Sequence, residues 1–268
     1  MPFTVSHVAA VLPAYRALSR ARLFTAAVIG SMVPDFGMLL PEAPGRLQTH
    51  SALALFTFCL PVGLLLYWIT VYLIKPAIVE ILPDGAHARL RAASAAAPPG
   101  GAPRTWLHAA SAIVLGAATH IIWDGFTHEN APGVRMFPVL DEFGPEIDGH
   151  SVQLYRLLQY GSSFAGLAVV IVAVVLWLRH APAPASPPAR PLRAREREAW
   201  ISLYILLPLL ALIAAVWLAR HMGVAPQRFA RAIESLAIMG MRAGVVTLLL
   251  VSLLLRARLS LLGQASRP

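Results

Sequence analysis

Residues 161–178 read GSSFAGLAVVIVAVVLWL, a stretch without a single charged side chain. A helix needs about 20 residues to cross the hydrocarbon core of a bilayer, and an apolar run of this length is typical of a transmembrane helix. Comparable runs lie at 52–74, 200–218 and 233–255, and a weaker run at 107–123 contains two histidines. The sequence therefore predicts an all-α, polytopic membrane helix bundle with about five spans and short N-terminal helices.

The composition of the whole chain agrees with a membrane protein. Hydrophobic residues make up 57% of the 268 residues and charged residues 13%, with a mean hydropathy of +0.66. Soluble domains have roughly 45–50% apolar and about 25% charged residues, so a soluble enzyme is excluded. The formal net charge of +9 comes from arginines in short loops beside apolar runs. This distribution indicates membrane topology, and no nucleic-acid partner is expected.

Residue usage also bears on the origin and the chemistry of the chain. Lysine occurs once, at Lys75, whereas arginine, alanine and proline are frequent, which suggests a GC-rich bacterial genome. The single cysteine, Cys59, lies inside an apolar run, so a disulfide framework and a cysteine-based metal site are excluded. The N-terminus lacks the basic segment and the cleavage site of a signal peptide. We expect a multi-pass protein of the bacterial cytoplasmic membrane.

Two N-terminal segments are too short to span. A short helix is expected over 7–18, with Ser6 as its N-cap and a kink at Pro13. The apolar run 23–33 ends at a Pro-Asp pair and predicts a buried or re-entrant helix. These segments precede the first clear span and add short helices to the bundle.

Proline, alanine and arginine mark the segments between the spans. The segment 75–106 predicts a flexible loop outside the membrane, and 179–199 predicts a linker of the same kind. The chain then divides into a membrane domain at 1–178, the linker at 179–199, and a C-terminal helix pair with a basic tail at 200–268.

The positive-inside rule gives an orientation to the spans. The basic segments 75–106 and 179–199 and the C-terminal tail are placed in the cytoplasm, which leaves 1–51 and 124–160 outside. The loop 219–232 contains three arginines and contradicts this orientation. In either orientation an even number of crossings separates 1–51 from 124–160, so the polar side chains of these two segments lie on the same side.

Histidines and carboxylates gather on that shared side, and both are ligand types for zinc and related cations. The candidates are His7, Asp35, His50, His120, Asp124, His128 and His150. His120 and Asp124 are four residues apart on a predicted helix, so they share one face with Cβ atoms about 5–6 Å apart. Four further histidines are interpreted as lying outside the site: His87, His108, His180 and His221.

Each candidate also has a structural interpretation. His7 fits a helix surface near an N-cap, Asp35 fits an ordinary turn after proline, and His50 fits an interfacial helix start. His120 and Asp124 fit a buried hydrogen-bonded pair that stabilises helix packing about as well as they fit a metal site. The residues alone therefore leave open a non-enzymatic membrane protein with a structural or ion-carrying His/Asp network.

The candidates also belong to a longer pattern. Its elements are MPFTVSH at 1–7, Gly30-Ser31-x-x-Pro34-Asp35, Thr49-His50-Ser51, His120-x-x-x-Asp124 and LQYGSS at 158–163. Over roughly residues 1–178 these elements resemble a bacterial family of multispanning membrane proteins of unknown function. That family is in turn similar to the membrane-bound metal-dependent hydrolases, some of which resemble zinc-dependent phospholipase C.

The resemblance implies a hydrolase that uses a divalent metal, with zinc as the expected cofactor. The matching positions are His7, Asp35, His50, His120 and Asp124, all as metal ligands, with Asp35 and Asp124 as ligand or general base. The implied substrate is an ester or phosphoester, lipid-like in character, at the membrane surface. The broader family often has a second acidic residue after Pro-Asp and a further histidine before His-Ser. This chain lacks both, so the resemblance gives no support for a second metal ion.

Overall fold

The computed structural model describes residues 4–40, 42, 44–94, 103–147, 150–182, 190–221 and 229–265. It is 85% helical with almost no strand, which confirms the all-α fold. Within these ranges five helices are long and apolar enough to cross a membrane. They are span 1 (Leu55–Ile81), span 2 (Arg104–Thr127), span 3 (Leu154–His180), span 4 (Ala194–Ala214) and span 5 (Ile238–Leu262). The chain is therefore a multi-pass membrane protein.

The N-terminal region consists of short helices. A 3₁₀ helix at Thr4–Ala14 leads into α1 (Tyr15–Arg20), and α2 (Phe24–Met32) continues into a second 3₁₀ segment at Val33–Leu39. The first helix already includes Thr4, so Ser6 is not its N-cap. The α2 segment with its 3₁₀ extension is apolar but shorter than a membrane-crossing helix, as the sequence predicts.

Span 1 is built from several helical segments. After α3 (Arg46–Thr49) these are a π-helical turn at Leu55–Cys59, α4 (Leu60–Ile69), a second π-helical turn at Thr70–Ile74 and α5 (Lys75–Ile81), followed by α6 (Asp84–Ser94). The predicted flexible loop is therefore wrong for 75–81, 84–94 and 103–106, which are helical; α6 is rich in alanine and arginine, which are strong helix formers. Residues 95–102 of that loop lie outside the described residues.

The remaining elements contain the other four spans. In order they are α7 (Pro103–Thr127), α8 (Pro132–Met136), a 3₁₀ turn at Pro138–Asp141, β1 (Phe143–Ile147), β2 (His150–Gln153), α9 (Leu154–His180), α10 (Ala194–His221) and α11 (Phe229–Ala265). The two strands pair antiparallel, so the acidic loop between spans 2 and 3 contains a small hairpin. Residues 183–189 of the predicted linker lie outside the described residues.

The chain forms two compact units. The first consists of residues 1–67 and 99–180, and the second of residues 68–98 and 181–268. Buried residues at the core of the first unit are Val33, Cys59 and Ala117. Those at the core of the second unit are Ala77, Ile81, Leu192 and Leu255. All five predicted ligands belong to the first unit, and the division at 1–178, 179–199 and 200–268 stays a prediction.

Two glycines bring α2 into backbone contact with α7 inside the first unit. A Cβ built on Gly30 would overlap the carbonyl oxygen of Ile113, and one built on Gly116 would overlap the carbonyl oxygen of Ala27. Glycine is required here because any side chain would hold the two backbones apart. The end of α2 therefore lies close to the part of α7 that contains His120.

Candidate metal centre

Four side chains converge at one point in the first unit. Asp35 lies in the 3₁₀ segment after α2, His50 directly follows α3, and His120 and Asp124 lie one turn apart on α7. One ligand atom from each of the four lies within 4.8 Å of the others. The fold thus brings together four of the five positions that the sequence predicts as ligands.

The distances between these atoms fit a single small ion. His50 Nε2 lies 3.4 Å from Asp35 Oδ1 and 3.3 Å from Asp124 Oδ2. His120 Nε2 lies 3.4 Å and 3.5 Å from the same two oxygens. Neighbouring ligands of a tetrahedral ion with bonds of about 2.0–2.1 Å are about 3.3–3.4 Å apart. Asp35, His50, His120 and Asp124 therefore form a possible metal-binding group.

Three of the converging atoms are buried without a hydrogen bond. They are Asp35 Oδ1, His50 Nε2 and His120 Nε2, and none has a hydrogen-bond partner among the described residues. Asp35 is 2% exposed and His120 is fully buried. A buried polar atom without a partner costs about 1–3 kcal/mol, and such atoms are rare in folded proteins. A cation bound between the three atoms would satisfy all of them at once.

Hydrogen bonds at Nδ1 orient both histidines. His120 Nδ1 lies 2.7 Å from the backbone oxygen of Ser31, and His50 Nδ1 lies 2.7 Å from Thr49 Oγ1. A carbonyl oxygen only accepts, so His120 donates from Nδ1. The Thr49 hydroxyl donates to the backbone oxygen of Arg46 at 3.5 Å and can accept from His50. Donation from Nδ1 directs Nε2 of each ring toward the centre, as in metal sites whose ligating histidines are oriented by their neighbours.

The two carboxylates have different surroundings. Thr4 Oγ1 donates to Asp35 Oδ2 at 2.8 Å, which leaves Oδ1 facing the centre. Arg46 Nη2 donates to Asp124 Oδ2 at 3.2 Å, and the other oxygen of Asp124 lies 3.6 Å from His7 Nε2. Asp124 therefore has a neighbour at each oxygen, whereas Asp35 keeps one oxygen for the centre.

His7 lies beside the group of four side chains. Its ring stacks on His120 with centroids 3.7 Å apart and an angle of 16° between the planes. Close packing of Gly166 against the backbone oxygen of Ser6 holds this segment on α9. Burial, with the neighbouring His120, lowers the pKa of His7 to about 4, so its ring is neutral at neutral pH. Its role as a ligand stays a prediction.

His128 contacts the centre from the end of α7. Its Nδ1 lies 3.6 Å from Asp124 Oδ1, and its Nε2 accepts a hydrogen bond from Gln159 Nε2 at 2.9 Å. Burial lowers the pKa of His128 to about 4. His128 thus links α7 and α9 beside Asp124, whereas the side chain of His150 lies outside what the structure describes.

The four histidines that the sequence places outside the site lie away from the group of four. Three of them are exposed: His108, His180 and His221. His87 is buried in the second unit, where its Nε2 lies 3.5 Å from Glu80 Oε2. Glu80 also pairs with Arg91, so this second polar cluster is an ion-pair network.

Four supporting residues were not predicted from the sequence. They are Thr4, Arg46, Thr49 and Gln159, and each contacts a predicted candidate. Two weak signals were available, because Thr49 directly precedes His50 and Arg46 lies one helical turn before it. Thr4 and Gln159 lie within the quoted motifs MPFTVSH and LQYGSS, but the contacts of Thr4 and Arg46 cross 31 and 78 positions of the chain, so the motifs do not show which residues they contact.

Comparison with known proteins adds a family and leaves the activity open. Neither a curated protein nor a solved structure matches the chain significantly. One family model, a domain of unknown function named DUF4184, matches residues 1–253 and so includes the four converging side chains and all of spans 1 to 4. The chain belongs to this DUF4184 family of multispanning membrane proteins, whose function is unknown.

Proposed function

We propose that this protein is a membrane-bound metal-dependent hydrolase that holds one divalent ion, zinc, through Asp35, His50 and His120. The observation that carries the proposal is the convergence of three buried atoms without hydrogen-bond partners. Two histidines and one carboxylate are also the ligands of catalytic zinc sites that keep a fourth position for water or substrate. Zinc suits this set because imidazole and carboxylate are among its preferred ligands.

Asp124 is the general base of the proposed reaction. Its Oδ2 lies 3.3 and 3.5 Å from the ligating nitrogens of His50 and His120. When bound, a divalent ion lowers the pKa of a coordinated water to about 7 and polarises the scissile bond. Asp124 Oδ2 accepts the proton of the attacking water, and Arg46 holds this oxygen in position. His7 remains a candidate for a further ligand because its Nε2 and ring lie against Asp124 and His120.

The substrate we propose is an ester or phosphoester of a lipid. An apolar groove lies between the N-terminal 3₁₀ helix and span 3 and starts two residues after His7. Its lining consists of Ala9, Leu12, Pro13, Ala168, Val169, Val172, Ala173 and Leu176. An acyl chain suits this groove, since the lining is apolar and span 3 is long enough to cross the bilayer. The scissile group of such a lipid then reaches the metal centre from the membrane surface.

The site is proposed to face the outside of the bacterial cytoplasmic membrane. His50 precedes span 1, and Asp124 lies at the end of span 2, so both belong to the same side. The arginines of 75–106 and 179–199 favour the cytoplasm for the opposite side.

A structural metal site is the second candidate. The observation in its favour is that Asp124 Oδ2 approaches the same two nitrogens as Asp35 Oδ1. Four protein ligands close a tetrahedral ion, as in structural zinc sites, and leave no position for a substrate. In that case the ion holds α2, α3 and α7 together and no reaction occurs.

Metal analysis of the purified protein tests the proposal. We expect native protein, purified in detergent with metal present, to contain one ion per chain, and His120→Ala to contain none. His108→Ala is the matched control, because His108 lies on the same helix and is exposed. Native protein without stoichiometric metal would contradict both the hydrolase and the structural metal site.

A further inference from the structure

Arg46 is the cationic side chain at the edge of the metal centre. Its side chain is 42% exposed, whereas that of Asp124, with which it pairs, is 2% exposed. Within the described part of the chain its one side-chain hydrogen bond is from Nη2 to Asp124 Oδ2 at 3.2 Å. A guanidinium has five N–H donors, so most of them are available to a molecule that enters the site.

The backbone holds Arg46 in a fixed relation to the ligand His50. Gly45 donates its backbone N–H to Gln48 Oε1 at 3.0 Å, which closes the first turn of α3. The backbone N–H of His50 donates to the backbone oxygen of Arg46 at 2.7 Å. Arg46 and His50 therefore stand on one hydrogen-bonded turn, and a group bound at the centre lies within reach of the guanidinium.

The charges at the centre indicate which charge a substrate group bound there should have. Two carboxylates neutralise a divalent ion, and Arg46 adds one positive charge. A metal-loaded centre with Arg46 at its edge therefore has an excess positive charge, which favours an anionic group beside it. An anionic substrate compensates this charge and a neutral ester does not.

We infer that Arg46 selects an anionic phosphoester, whose phosphoryl oxygens it binds beside the metal centre, over a neutral carboxylic ester. Arginine suits this role because its planar fork donates two parallel hydrogen bonds to phosphate. The inference rests on the proposed function and names the substrate class of the same site. Arg46 is here a specificity residue, and the ion is held by other side chains.

Two substrates with the same leaving group test the inference. Metal-replete full-length protein in detergent is assayed with bis(p-nitrophenyl) phosphate, an anion, and with p-nitrophenyl butyrate, a neutral ester. We expect Arg46→Gln to lower kcat/KM for both substrates, because Arg46 also holds Asp124, and to lower it roughly 10- to 100-fold more for the phosphodiester through the loss of one or two charge-assisted hydrogen bonds. Arg46→Lys keeps the charge and should recover part of the loss. Arg16→Gln, an exposed arginine on another helix, should leave both rates unchanged.

Phosphate binding gives a second readout that needs no turnover. We expect inorganic phosphate to bind metal-loaded native protein and to bind Arg46→Gln at least tenfold more weakly, while the variant keeps its stoichiometric metal. Hydrolysis of butyrate in preference to the phosphodiester, with no selective effect of Arg46→Gln, overturns the inference and leaves the hydrolase standing. If neither substrate is cleaved, the proposed function fails. If native protein and Arg46→Gln then also bind phosphate equally well, the inference is overturned as well.

Discussion

At the scale of single residues, the possible metal-binding group is supported by side chains and backbone groups outside it. Ser31 and Thr49 accept hydrogen bonds from the two histidines, and Thr4 donates to Asp35. Such contacts fix the orientation of the ligands and raise metal affinity by about 10- to 100-fold each. The orientation of Asp35 and His120 therefore depends on residues that are 31 and 89 positions away in the sequence.

Thr4→Val removes the hydrogen bond to Asp35 Oδ2 and keeps the shape of the side chain. We expect the dissociation constant for zinc to rise about 10- to 100-fold, measured by competition with a chelator in detergent. Thr57→Val is the matched control, because Thr57 is exposed on span 1 and bonds only to the backbone oxygen of Leu53. An unchanged affinity in Thr4→Val would show that Asp35 does not ligate.

The substitution Asp124→Asn distinguishes two roles of Asp124, general base and fourth metal ligand. The amide cannot accept a proton, so we expect kcat to fall about 10²- to 10⁴-fold while one ion per chain is retained. The measurement pairs metal analysis with turnover, and exposed Asp141→Asn is the control. Loss of the ion in Asp124→Asn would instead favour the closed structural site.

The sequence predicts the candidate ligands better than it predicts the residues that contact and orient them. Asp35, His50, His120 and Asp124 were named because their residue types and their pattern resemble a family, and the fold brings them together. Arg46 was not named, because arginine is common in this chain and its partner is 78 positions away. Contacts of that kind depend on tertiary packing, which local pattern does not contain.

At the scale of elements, the close crossing of α2 and α7 positions the site. The crossing is made by Gly30 and Gly116, which allow backbone contact. It places the backbone oxygen of Ser31 2.7 Å from His120 Nδ1 and brings the following 3₁₀ segment, with Asp35, to the same histidine. Small residues at such crossings are typical of helices that pack inside membranes.

Gly116→Val should force the two helices apart. The added side chain meets backbone atoms of α2, which cannot move aside as a flexible side chain can, so we expect a lower Tm and loss of metal. Gly161→Val is the matched control, because nothing lies within 4 Å of a Cβ at Gly161. Thermal unfolding in detergent, followed by metal analysis, checks both variants. Normal metal content in Gly116→Val would contradict the dependence of the site on this crossing.

The apolar runs predict the five spans but not their ends. Span 1 was expected at 52–74 and extends to Ile81, and span 3 was expected at 161–178 and covers Leu154–His180. An apolar run ends at the first polar residues, whereas a helix continues as long as its backbone hydrogen bonds can form. The same reason explains the helices α5 and α6 in place of the expected loop.

At the scale of the whole molecule, the polar side chains belong to separate units. The first unit contains the metal centre, and the second contains the ion pairs of Glu80 with Arg91 and of Asp84 with Arg190. In the first unit Arg46 contacts Asp124, and no arginine contact is described for Asp35, whereas in the second unit Glu80 and Asp84 each pair with an arginine. Among the described residues, the histidines and carboxylates that could hold a metal ion lie in the first unit.

Reporter fusions test the topology that this arrangement requires. An even number of crossings separates the N-terminus from the acidic loop between spans 2 and 3, so reporters at the N-terminus and within 129–147 should give the same side. We expect that side to be extracytoplasmic, and a reporter in 84–94 to be cytoplasmic. A cytoplasmic signal from the N-terminal reporter and from the reporter within 129–147 would reverse the orientation. Signals from opposite sides at these two positions would contradict the five spans.

The distance along the chain between the partners at the site affects its synthesis. Ser31 and His120 are 89 positions apart, and a ribosome adds about 5–20 residues per second, so α2 and Asp35 emerge about 5–20 s before α7. During that interval the glycine face of α2 and the Asp35 carboxylate lack the helix on which they later pack. Span 1, which follows α2 in the sequence, must be inserted into the membrane during the same interval. The four converging side chains can therefore meet only after α7 has been synthesised, and the first unit is complete only after α9 has followed.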